Sequence, residues 1–127
     1  MVEEPIALHR AAALAEEARS GQASGAAPTH FDRRELSRIL ATYGRMVAAG
    51  EWRDYALDFL PDAAVFSIFR RASEMALYRI EKRPKLKARQ GQYSVIAHGG
   101  LVLKRGHDLA QVLKVFDRKI LKALAKE

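Results

Sequence analysis

The chain has no cysteine, one tryptophan and four prolines among 127 residues. No disulfide, thiolate nucleophile or cysteine-ligated zinc is available to it, and such a composition suits a reducing compartment. No stretch approaches the roughly 18 consecutive apolar residues of a membrane span. The N-terminus MVEEPIALHR opens with Glu3 and Glu4, where a secretory signal carries positive charge. The expectation is a cytoplasmic protein without a membrane partner.

Catalytic signatures are missing as well. Nucleophilic catalysis needs a hydroxyl, thiol or amine beside an oriented base, and the only sequence-local pair is His107-Asp108 in RGHD, which reads as a helix start. His98 and His107 lack the i, i+4 spacing that sets two imidazoles on one helical face, and no acids cluster near them. HGGLVLKRGHD contains neither GxxxxGK[ST] nor GxGxxG, so Gly99 and Gly100 read as a tight turn. Neither an enzyme nor a cofactor or metal site is expected.

Charge is what the sequence does have. The net charge is +7, from 22 Lys and Arg against 15 Asp and Glu. Residues 1–30 carry two cations against four acids, and residues 31–69 carry five against six. Residues 70–105 carry ten against two, and residues 106–127 five against three. Essentially all the excess lies in the third of these segments, a layout that favours nucleic acid or an acidic protein as partner.

Residues 1–30 end in SGQASGAAPTH and read as a flexible alanine-rich leader, with a short helix over Pro5–Arg19. A single domain is expected from 31 to 127. Asp32 and Glu35 form a capping-box pattern ahead of a helix over Arg33–Ala49, whose apolar stripe is Leu36, Ile39, Leu40, Tyr43 and Val47. From Trp52 the period changes to two. Tyr55, Leu57 and Phe59 alternate with polar or small residues, Pro61-Asp62 makes a turn, and AVFSIFRR, ALYRIEK, QYSVIA and LVLKRG follow as further strands. His107 or Asp108 opens a last helix carrying Leu109, Val112, Leu113, Phe116, Ile120, Leu121 and Leu124. The predicted fold is α+β: a helix, an antiparallel meander of four or five strands and a C-terminal helix, with both helices on one face of the sheet.

The segment from FDRRELSRIL to QGQYSV, continued by LVLKRGHDLAQVL, resembles an alphaproteobacterial family catalogued as a domain of unknown function. GEWRDY, FRRASEM and YRIEKRPKL carry that resemblance, which spans about Phe31 to Leu121. It implies a bacterial setting and a domain boundary, and brings no site with it.

The candidate interface is therefore read from charge alone. Arg79, Lys82, Arg83, Lys85, Lys87 and Arg89 fall on a strand and the connection after it, with Arg70 and Arg71 ending the strand before and Lys104 and Arg105 on the last. Alternation turns one of two sets outward on AVFSIFRR, and each contains a phenylalanine, Phe66 or Phe69, that would stack on a base beside the arginines. A long basic hairpin entering a duplex groove is a second geometry. Binding to an acidic protein, as an adaptor or regulatory subunit, is the alternative reading of the same cations.

Overall fold

A computed structural model describes residues 27–71 and 75–119. The leader helix read at Pro5–Arg19 lies outside these residues, as do Ile120, Leu121 and Leu124. In chain order the elements are α1 (Arg33–Ala48), β1 (Asp54–Phe59), β2 (Ala64–Phe69), β3 (Tyr78–Lys82), a 3₁₀ turn (Pro84–Leu86), β4 (Tyr93–Ala97), β5 (Val102–Gly106) and α2 (Leu109–Leu113). The backbone is helical again over 115–119, after a turn at Lys114. The five strands form one antiparallel sheet in the order β1-β2-β3-β4-β5. The fold is the α+β arrangement expected, with all five strands present.

Strand register decides which side chains share a face. Leu57, Phe66, Ile80 and Val95 stand opposite one another across four strands, and all four are buried in one core cluster with Ile39 and Met46 of α1 and Val112 and Leu113 of α2. Both helices therefore cover the same face. Burying side chains of this kind contributes roughly 1.5–3 kcal/mol each. Rings supply much of the filling: Tyr43 of α1 meets Tyr55 and Phe66 edge-on, Tyr55 stacks on Phe66, and Trp52 meets Phe116 at 89°.

The stripe read on α1 is displaced. Leu36 and Tyr43 pack against the core only in part, while Leu40 and Val47 are 37% and 41% exposed. The buried positions are Glu35, Ile39, Thr42 and Met46. Hydropathy places the stripe on the leucines, but the helix is turned toward the side that carries Glu35, because that carboxylate has partners on the sheet.

The basic connection is compact. Leu86 N–H donates to the Arg83 carbonyl (3.0 Å), Lys87 N–H to that of Pro84 (3.0 Å), and Arg89 and Gly91 N–H both to that of Leu86 (3.0 and 2.9 Å), so residues 83–91 coil on themselves. Arg83 N–H to the Gln92 carbonyl (2.7 Å) closes the base. No long arm projects here, which corrects the groove-entering hairpin. Gly91 fixes the turn against β5: its φ is +101°, and a Cβ there would fall 2.3 Å from the Gly106 carbonyl carbon. A side chain at this position meets backbone that cannot yield. Gly91→Ala should therefore destabilise the domain by more than about 2 kcal/mol in urea unfolding. An unchanged midpoint would show that the loop is not seated on Gly106.

Candidate nucleic-acid interface

The interface is organised by one buried carboxylate. Glu35 is the N3 residue of a complete capping box: Asp32 Oδ1 accepts from Glu35 N–H (2.8 Å), and Glu35 Oε1 accepts from Asp32 N–H (2.7 Å). The same Oε1 takes a second bond from Lys82 Nζ (2.8 Å), which also donates to the His30 carbonyl (3.0 Å). The other carboxylate oxygen accepts from the Tyr93 hydroxyl. Lys82 ends β3 and Tyr93 begins β4, so the first turn of α1 is pinned to the base of the basic loop.

Burial holds the Tyr93 hydroxyl protonated well above the usual tyrosine range, and the bond to Glu35 and the charges of Glu35, Asp32 and Asp108 push the same way. Lys82 is consequently a structural cation, its side chain only 16% exposed. It is withdrawn from the set expected to meet a polyanion.

The face away from the helices carries Glu81, Ser94 and Arg105 in register, with Val65 beside them. Glu81 is buried and bridges two arginines, Arg83 Nε at 2.9 Å and Arg79 Nε at 3.4 Å. Both arginine side chains remain about two-fifths exposed, but each is tied to an acid. Arg105 Nη1 donates to Gln90 Oε1 (2.7 Å), which links β5 to the loop, while its Nε is buried without an acceptor.

Alternation on β2 is now resolved. Phe66 points into the core and is fully buried, which removes it as a stacking residue. Phe69 lies on the other face, half-buried, at the far end of β2. Arg70 and Arg71 follow it there, and Arg70 Nη2 approaches Glu51 at 3.8 Å. Six residues of strand, about 20 Å, separate that end from the loop. Arg70 and Arg71 thus do not join the loop cations in one patch. Lys104 is exposed midway along β5.

What converges at the loop end is a different set. Lys85, Lys87 and Arg89 are exposed on the coiled turn, and Lys85, 80% exposed, reaches Asp62 in the β1–β2 turn at 3.1 Å. Arg33 and Arg34, in the helical turn that Glu35 anchors beside the loop, are exposed too. Among the described residues Arg33, Arg34, Lys87 and Arg89 have no ion-pair partner. Neither helix arginine belongs to the set of cations expected from the sequence; the missing signal was the Glu35–Lys82 bond, which joins positions 47 apart. His98 and His107 are exposed and lie at different turns, and Asp108 caps α2 through the Ala110 N–H (3.0 Å). Among the described residues no three His, Asp or Glu side chains group closely enough to hold a metal, and no helix is long and apolar enough to cross a membrane.

Residues 29–113, well over half the chain, match the sequence model of a family described as a protein of unknown function, DUF2794. The match begins at the segment that Lys82 and Leu60 hold and ends with α2. No curated protein and no solved structure matches the chain.

Two outcomes follow from the carboxylate junction. Lys82→Met leaves Glu35 buried without its cation, and should cost about 3–5 kcal/mol, read from the urea midpoint. Because folding raises the Tyr93 pKa, the native state holds a proton that the unfolded chain releases above pH ~10. Stability should fall as pH rises from 9 to 11.5, and Tyr93→Phe should flatten that fall; an identical slope in the variant would place the titrating group elsewhere.

Proposed function

We propose that this chain, which belongs to the DUF2794 family, is a small non-enzymatic protein of the bacterial cytoplasm that binds nucleic acid through its phosphates at the cationic loop end. The observation that carries the reading is the convergence of Lys85, Lys87 and Arg89 with Arg33 and Arg34 on one ordered end, four of the five without an acidic partner among the described residues. The turn that presents them is closed by its own backbone bonds, so little ordering entropy opposes contact. The N-terminal dipole of the 16-residue α1 adds positive potential at the same end.

Phosphate contact without base readout fits the rest of the geometry. Phe66 is in the core, and Phe69 lies a strand's length from the loop cations. Phe59 at the loop end packs against the His30 ring, centroids 4.6 Å apart, and neither Phe66 nor Phe69 stands beside the cluster, so the proposed contact is with phosphates and not through those two rings. Such a surface recognises charge density, and duplex exceeds single strands in that respect.

Five engaged cations give a slope of log affinity against log salt near −4.5 on duplex DNA, at about −0.9 per phosphate. Lys85→Glu/Lys87→Glu/Arg89→Glu should lower its magnitude by about 2.7, and adding Arg33→Glu/Arg34→Glu should remove most of the rest. Phe69→Ala should leave single-strand affinity unchanged, where a stacked base would lose roughly 1–3 kcal/mol. A slope near zero, or a loop variant that binds as tightly as the parent, overturns the reading. Recovery of one stoichiometric acidic protein after nuclease treatment would replace nucleic acid with that partner.

A further inference from the structure

We infer that the groove between α1 and α2 is a binding site for a small phosphate-bearing anion, separate from the loop end. The groove lies between α1 and the chain from α2 to Asp117, and the side chains of Arg45 and Asp117 approach across it at 3.8 Å. On α1 the groove is lined at i, i+3, i+4 and i+7 by Arg38, Ala41, Thr42 and Arg45, which face Ala110 and Leu113 of α2, Lys114 in the turn after it and Asp117 beyond. Ala41 and Ala110 are too small to close the gap, and a cavity of about 270 Å³ remains.

Its chemistry is that of an oxyanion site. Three cations, Arg38, Arg45 and Lys114, face one carboxylate, Asp117, which Arg45 already engages while also donating to Thr42 Oγ1 at 3.4 Å. The side chains of Arg38 and Lys114 have no hydrogen-bond or ion-pair partner among the described residues, and both residues are exposed. Two unpaired cations across an apolar floor of Ala41, Ala110 and Leu113 suit a phosphate held by a guanidinium fork and an ammonium, with a small organic group on the floor. The volume lies just below the usual range for ligand pockets, about 300–1,000 Å³. It therefore selects a terminal phosphate on a small molecule over a polymer backbone.

The nucleic-acid reading is not a premise here, because none of the loop cations lines the groove. The test is an amide NMR titration with inorganic phosphate, at ionic strength held constant with chloride. Saturable shifts at Ala41, Thr42, Ala110 and Lys114 are expected. Arg38→Glu/Lys114→Glu should weaken binding at least tenfold. So should Ala41→Leu, which fills the groove without changing charge and places a good helix former at an exposed helical position. Lys85→Glu/Lys87→Glu/Arg89→Glu should bind phosphate as the parent does. Shifts that stay linear, that spread over all cationic surfaces, or that survive Ala41→Leu would overturn the site, as would their loss in the loop variant.

Discussion

One carboxylate holds the helix layer to the sheet. Glu35 closes the capping box of α1, neutralises Lys82 at the end of β3 and accepts from Tyr93 at the start of β4. Each role alone is common at helix termini or in cores. Together they fix the rotation of α1, because the helix has to present Glu35 to the sheet. Ile39, Thr42 and Met46, four, seven and eleven positions on, are then the residues that point inward. Lys82 also reaches the His30 carbonyl, while Thr29 bonds the carbonyls of Leu60 and Pro61, so the segment entering the domain is fastened at the same end.

That geometry explains what could be read in advance. Asp32 and Glu35 are three residues apart, and strand periodicity is local, so the cap and a meander of four or five strands were visible in order. The rotation of α1 was not, since hydropathy counts Glu35 as solvent-facing and only a partner 47 residues away reverses that. The face of AVFSIFRR was undecidable for another reason. Both alternating sets contain a phenylalanine, and the choice between them rests with the helices that cover Phe66 and Ile68. The coil at 83–91 was hidden in a run whose one proline, lysines and arginines signal only a connection; its shape comes from repeated bonds to the Arg83, Pro84 and Leu86 carbonyls and from Gly91 lying against Gly106.

The charge layout shows most plainly how a fold alters what a sequence count implies. Residues 70–105 hold ten cations and two acids, which suggests a continuous positive surface. In three dimensions the acids come from elsewhere: Glu35 meets Lys82, Glu51 meets Arg70 and Asp62 meets Lys85. Glu81, one of the block's own acids, takes both Arg79 and Arg83. Among the described residues Arg71, Lys87, Arg89, Lys104 and Arg105 have no acidic partner; Arg105 is half-buried and bonded to Gln90, and the other four stand at three separate places on the sheet. Surplus potential therefore gathers only where Lys87 and Arg89 are reinforced from outside the block, by Arg33 and Arg34. Those two arginines come from a segment whose own count is slightly acidic, and they reach the loop because Glu35 anchors their helix there. The carboxylate that neutralises one cation of the block thereby brings two others to its edge.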